Sequence, residues 1–476
     1  MGVGVVLFQV LGHSVTLFWA FVCFIWLIYA WETYLDYRQR RTIQKTSSPP
    51  VELSDLITEE EFLKSKAYAL DKSSFSFVHD AYDTAVVTVI LCYHLVPWLW
   101  DKVMMDIVSI NASIKSASGV DLGWNSDSEI ICSLLFLLYV SIFKFFESMP
   151  WSLYYNFVIE ARHGFNNQTL AFFMKDRIKA FVISTLIGFP IAATLIWIIK
   201  IGGRHFYVFA YLFALVVTVF MMFVYPEYIA PLFDRYERLP DGDLRQKIEA
   251  LAARIDFPLK KLLVVEGSKR SAHSNAYFYG FGKNKRIVLF DTLIKDFKFP
   301  GKDGNTPGSA CNQDDKAASR GCAVDEEIVA VLGHELGHWK RGHTIINLLI
   351  GQANLLLMFV VFSSLMNIDS IFASFGFTST VPILLRLVVI FQFIFSPYNT
   401  VLAFLMTVLS RRLEFQADEF AVNLGYGSFL KAALLVLHKD NLSFPVSDWL
   451  YSMCNYSHPP ILERLAAIDS LLRKAQ

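Results

Sequence analysis

The sequence predicts a mainly α, polytopic membrane protein carrying a soluble α+β region, and three observations support that class. Hydrophobic residues make up 54% of the 476-residue chain and charged residues only 18%, too apolar for an ordinary soluble protein. Apolar runs recur that are long enough to cross a bilayer, which takes about 20 residues each. Between two of them, in a polar stretch, residues 334–338 read His-Glu-Leu-Gly-His. Lys plus Arg (43) balance Asp plus Glu (43), so charge points neither to nucleic acid nor to an acidic partner. The six cysteines are scattered without a Cys-x-x-Cys pair, which predicts reduced thiols and argues against thiolate metal ligation.

Seven spans are predicted, near 12–33, 79–100, 130–147, 179–200, 206–227, 344–366 and 383–409. The first lacks a basic n-region and a small-residue cleavage site, so it reads as an uncleaved helix. The third carries Lys144 and Glu147, and Ser396-Pro397 interrupts the last. Basic residues set the orientation: Arg38, Arg40, Arg41 and Lys45 follow the first span, Arg162, Lys175, Arg177 and Lys179 lie between the third and fourth, and Arg411 and Arg412 follow the seventh. The N-terminus is therefore predicted lumenal, with the 228–343 loop and the tail from 411 cytosolic. The chain divides accordingly into 1–227, 228–343, 344–410 and 411–476. Asn111-Ala-Ser lies in a predicted lumenal loop and is an acceptor for glycosylation, whereas Asn167, Asn441 and Asn455 are predicted cytosolic and bare.

In the soluble loop, Asp243–Ala252 has helical composition and Lys261–Glu266 is β-rich. Ser274-Asn-Ala-Tyr-Phe-Tyr-Gly280 and Arg286–Phe290, around a Gly/Asn/Lys turn, predict a hairpin. Residues 300–325 are Gly-, Ser-, Asp- and Lys-rich without periodicity and read as a mobile insertion. A helix is expected from about Asp325, running on into the sixth span through His343.

On that helix His334 and His338, four apart, share one face and can offer two imidazoles to one metal ion. A hydrolytic zinc site needs three protein ligands and one open position. Glu414 is the candidate third, in Arg411-Arg-Leu-Glu-Phe-Gln-Ala-Asp418. Asp418, one turn on, can accept a hydrogen bond from the second nitrogen of a zinc histidine. Glu335 is placed to take a proton from water activated at the metal and to return it to a leaving amine. His343 is expected off the ligand face, at the membrane surface. Ser457-His-Pro-Pro460 with Arg464 forms a second polar cluster. There His458 can donate to an oxyanion and Arg464 can fix a peptide carbonyl, although a turn before an amphipathic helix explains the same residues.

HELGH, Glu414-Phe-Gln-Ala-Asp418, the Ser274–Gly280 segment and Ser457-His-Pro-Pro460 together resemble the CAAX prenyl protease 1 family, integral-membrane zinc metalloproteases, animal members most closely. The resemblance spans nearly the whole chain, including Asp71–Phe77, His163–Asn166 and Phe395–Asn399, and is weakest near 300–325. It implies seven long helices forming a barrel around a water-filled chamber, capped at the cytosolic end by the zinc domain. It also implies one Zn2+ per chain held by His334, His338 and Glu414, with Glu335 as base and Asp418 behind a ligand. Asn275, Ala276, Tyr277, His458 and Arg464 would meet the substrate, the strand around Asn275–Tyr279 pairing with the peptide. The implied substrates are farnesylated or geranylgeranylated CAAX proteins, prelamin A among them, which lose their last three residues. The implied setting is the endoplasmic reticulum and inner nuclear membrane, with the lipid bilayer and no nucleic acid as partner. The residues alone leave open a broad quality-control metalloprotease, or a membrane scaffold with a structural zinc.

Overall fold

The computed structural model describes residues 14–54, 56–280, 282–297, 299, 321–378 and 380–475. Most of the predicted insertion at 300–325 lies outside the described residues. The membrane part opens with α1 (Ser14–Lys45) and α2 (Glu59–Cys92). A capping box starts α2: Glu61 N–H donates to Thr58 Oγ1 at 3.2 Å, and Thr58 N–H donates to Glu61 Oε2 at 2.8 Å. The helix ends where His94 takes a left-handed φ of 50°, and α3 (Leu95–Ser118) follows as a separate helix. The second span therefore runs through 59–92 rather than 79–100. A hydropathy window finds the apolar half of such a helix and misses its polar first turns.

Next come α4 (Glu129–Tyr154), continued by a π turn at Tyr155–Glu160, then α5 (Leu170–Ile201) and α6 (Phe206–Val224) with a second π turn at Tyr225–Ile229. Among the described residues six helices are long and apolar enough to cross a membrane. A pair bent by 58°, Ile383–Ile394 and Ser396–Asn423, makes seven if counted as one span. The bend falls at Ser396-Pro397, where proline removes a backbone donor.

Between the fifth and sixth spans lie β1 (Tyr236–Arg238), α7 (Asp243–Arg254), β2 (Leu259–Val265), β3 (Ala276–Tyr279), β4 (Lys285–Phe290) and α8 (Asp325–Lys340). The sheet order is β1-β2-β4-β3, with β2 and β4 parallel and β3 and β4 an antiparallel hairpin. Thus β3 stands at the sheet edge. Leu262, Val264, Ile287 and Leu289 of the sheet share one buried cluster with Ile328, Leu332 and Leu336 of α8. Each such side chain contributes about 1.5–3 kcal/mol by leaving water, so the apolar face of α8 is fixed against the sheet and its histidine face turns outward.

The last helices are α9 (His343–Leu365), α10 (Ile383–Val388), α11 (Ser396–Asn423), α12 (Gly427–Asp440), α13 (Trp449–Asn455) and α14 (Ile461–Ala475). The expected run-on of α8 into the sixth span does not occur. Gly342, at φ 73°, breaks the helix and α9 restarts at His343. α8 and α11 approach closely because Gly337 faces Phe420 and Ala417, where an added Cβ would lie only 3.1 and 3.2 Å away.

Candidate metal centre

Three acidic residues open α8, Asp325, Glu326 and Glu327, as the positive end of a helix favours. Glu327 Oε2 accepts from Ala323 N–H at 2.8 Å. Two turns on, the i, i+4 spacing brings the Nε2 atoms of His334 and His338 to 3.3 Å. α11 supplies the third group: Glu414 Oε2 lies 3.4 Å from His334 Nε2 and Oε1 3.3 Å from His338 Nε2. Among the described residues these three form the cluster of donors able to share one ion, all ligand atoms lying within 4.8 Å of one another.

The surroundings fix which nitrogen of each ring faces that point. His334 Nδ1 lies 2.8 Å from Asp418 Oδ1, so Nδ1–H donates to the carboxylate and the Nε2 lone pair is free. Asp418 is buried and needs a counter-charge. Arg464 provides it, donating from Nε to Oδ2 at 2.9 Å and from Nη2 to Oδ1 at 2.6 Å. His338 Nδ1 lies 2.9 Å from His343 Nδ1, and His343 Nε2 lies 3.0 Å from Gln416 Oε1. Gln416 accepts the Nε2–H of His343, which makes His343 Nδ1 the acceptor for His338 and again frees Nε2 toward the ion.

The donor set fits a zinc ion. Two imidazoles and a carboxylate are a ligand set of catalytic zinc sites, and Glu414 Oε2 is buried without a well-aligned hydrogen bond although His458 Nδ1 lies 2.8 Å away. Burial alone would lower the His334 imidazole, but its bonds to Asp418 and Glu414 outweigh burial and raise it to about 9. The negative charge of Asp418 and Glu414 that raises this ring would equally favour an ion in place of the Nε2 proton. Burial also raises the Glu335 carboxyl above the ordinary glutamate range.

Glu335 and His338 line a cavity of about 1870 Å3 that reaches up between α5, α6 and α9, past Ile183, Ile187, Met221, Met222 and Leu348. Tyr277, Phe278 and Tyr279 of β3 line the same cavity. Phe290 N–H donates to Asn275 C=O at 3.0 Å. By antiparallel alternation Asn275 and Tyr277 turn their backbone groups to β4, while Ala276 and Phe278 turn theirs to the open edge. Ala276 N–H is covered by the Asn275 carboxamide oxygen at 2.8 Å.

Three sequence expectations change. Ala276 offers only backbone to a ligand, because its side chain is buried in the cluster under the sheet. Arg464, expected on the substrate, is buried with Nε and Nη2 on Asp418, and its Nη1 lies 3.9 Å from Glu414 Oε2. His343, expected off the ligand face, folds back onto His338 because Gly342 turns the chain. His458 is 68% exposed at the rim with Nδ1 2.8 Å from Glu414 Oε2. Gln416 was not foreseen. Its spacing from Glu414 gives no signal, since residues two apart on a helix point to different faces; it reaches the centre through His343.

Residues 39–235 match the family model for the CAAX prenyl protease N-terminal region of five membrane helices, and residues 238–472 match peptidase family M48. The chain belongs to the CAAX prenyl proteases of family M48. It is 55% identical to the CAAX prenyl protease 1 homolog of Taenia solium, over 97% of this chain and 98% of that protein. It is 49% identical to the Homo sapiens homolog, over 96% of each. The crystal structure of S. mikatae Ste24p superposes with a TM-score of 0.78 at 34% identity, covering 94% of this chain and 98% of that one. The protein is thus a membrane-embedded, zinc-dependent protease of CAAX proteins.

Proposed function

We propose that the chain removes the AAX tripeptide from farnesylated or geranylgeranylated CAAX proteins at the His334–His338–Glu414 centre. Bound zinc supplies Lewis acidity at the scissile carbonyl. Glu335 takes one proton from the attacking water as oxygen bonds to the carbonyl carbon. It hands that proton to the leaving amide nitrogen as the C–N bond breaks. A carboxyl raised by burial suits both transfers. His458, at the rim, donates to the carbonyl oxygen as negative charge builds there. The peptide lies along β3 as an added strand, bonded to the Ala276 carbonyl and to the N–H and C=O of Phe278, with Asn275 and Tyr277 flanking it.

The observation that carries this reading is the shared cavity. Glu335, His338, Tyr277–Tyr279 of β3 and the apolar faces of α5, α6 and α9 line one space. A prenylated cysteine can thus present its carbonyl to the centre while its lipid lies on the Ile183, Ile187 and Met221 wall, gaining about 0.8 kcal/mol per buried CH2. Cleavage of farnesylated and unprenylated versions of one CAAX peptide tests it. AAX release is expected to favour the farnesylated peptide by at least about 100-fold in kcat/KM. Equal rates would favour a broad quality-control protease.

On the same footing we infer a hydrated chamber and the division at 227, 343 and 410. We also infer a lumenal N-terminus, a cytosolic zinc region and tail, and residence in the endoplasmic reticulum and inner nuclear membrane. The basic residues flanking the first, third and seventh spans support the orientation. Resemblance to animal members supports prelamin A as a substrate where one is made.

A further inference from the structure

The segment that feeds β3 is held from three sides by residues the chemistry above does not use. His273 lies two positions before Asn275, and each of its ring nitrogens faces an oxygen. Nδ1 is 2.9 Å from Asn441 Oδ1, just past α12, and Nε2 is 3.3 Å from Glu160 Oε2, at the end of the α4 π turn. The ring stacks on Phe165, centroids 4.1 Å apart and planes at 14°. Glu160 is 6% exposed, and its other oxygen accepts the Tyr68 hydroxyl of α2 at 2.5 Å. Around the ring the backbone is tied as well. Asn166 and Ser271 form an antiparallel bridge, and Ala272 N–H donates to Phe165 C=O at 3.2 Å. On the sheet side, Thr292 Oγ1 donates to His273 C=O at 3.0 Å.

A buried carboxylate costs stability unless donors surround it, and a π turn spends an extra residue to re-aim a side chain. Here both are spent on one imidazole. Two membrane helices (α2, α4) and the end of α12 converge on the residue that sets where β3 begins. β3 itself is four residues long and paired on one side only, so the segment that feeds it adds to the pairing with β4 in setting its place.

We propose that Glu160, His273 and Asn441 form a clamp that positions the peptide-binding edge of β3 against the zinc helix, tying substrate binding to the membrane bundle. The proposal rests on the reading that β3 pairs with the peptide. His273 is a positioning residue: it acts through β3 and touches no reacting atom. Its loss misplaces the peptide before the chemistry, so it raises KM more than it lowers kcat.

The test uses the full chain in detergent with a farnesylated CAAX peptide. His273→Phe keeps the ring stacked on Phe165 and removes both ring-nitrogen contacts, to Asn441 and to Glu160. Its KM is expected to rise roughly tenfold with kcat within about twofold, with one zinc per chain and an unfolding midpoint lowered by the loss of a Glu160 partner yet still above the assay temperature. His273→Gln, which restores an amide donor, should recover part of the loss. Glu160→Gln, nearly isosteric, carries the same expectation and decides the matter if His273→Phe does not fold. A wild-type KM in these variants, or a loss confined to kcat, overturns the clamp. Phe278→Pro removes an edge N–H without touching the clamp. If that variant raises KM while His273→Phe does not, the clamp alone fails. If it leaves KM unchanged, the strand-pairing reading fails.

Discussion

His334 and His338 stand one helical turn apart, yet they are held by opposite means. The His334 side is sealed and charged: imidazole, Asp418 and Arg464 form a buried chain with contacts of 2.6–2.9 Å. The His338 side is neutral and opens onto the cavity, its ring oriented by a second imidazole and an amide, His343 and Gln416, at 2.9 and 3.0 Å. The Asp418–Arg464 charge pair is placed on the buried side, and a neutral relay on the side that lines the cavity. A further carboxylate on the open side would raise the Glu335 carboxyl beyond what burial already does and leave less of it ionised to accept a proton. The sealed side sets stability and metal affinity together, and the open side sets metal affinity with little charge at risk.

Removal of a ligand gives the largest effect. His334→Ala, or chelation of the wild type, is expected to reduce turnover to background, and zinc restores only the chelated wild type. Metal content and peptide cleavage measured on the same sample check this. Asp418→Asn comes next, because it leaves Arg464 buried beside a weaker partner. We expect about 3–5 kcal/mol lower stability and zinc affinity weaker by about 10–100-fold, read from denaturant unfolding and competition with a chelator. His343→Ala on the open side should weaken zinc by no more than about tenfold and cost about 1 kcal/mol. A stability loss at His343 equal to that at Asp418 would break the comparison between the two sides.

The smallest effect separates stability from chemistry. On α12, His438 Nε2 is sealed from water with no hydrogen-bond partner, and burial lowers its imidazole to about 4. Unfolded, the ring titrates near about 6.5. Between these values the unfolded chain binds more protons, so this contribution to stability is full above about pH 6.5 and lost as pH falls toward 4. His438→Leu should flatten the fall of the unfolding midpoint across that window and leave turnover at neutral pH unchanged.

Much of the centre was legible because helical spacing is local. Four-residue intervals align His334 with His338 and Glu414 with Asp418, whatever the rest of the fold does. What was misread depends on contacts the sequence cannot show. Arg464 looked free because its partner, Asp418, lies 46 residues away on another helix. His343 looked stranded because a continuous helix was assumed through Gly342, and one left-handed residue turns it onto His338. The second span was placed 20 residues late because hydropathy follows apolar content, while the helix begins at a polar capping box. The cavity and the Glu160–His273–Asn441 convergence were invisible, since each joins segments that are far apart in the chain.

The proposed cleavage turns on acid–base work by Glu335 at a centre it does not ligate. Glu335→Gln in the purified chain, assayed for AAX release with zinc measured in the same sample, tests it most directly. The account predicts one zinc per chain, unchanged unfolding, and kcat lower by about a thousandfold. Turnover near the wild-type rate with zinc in place, or loss of the metal itself, would contradict it.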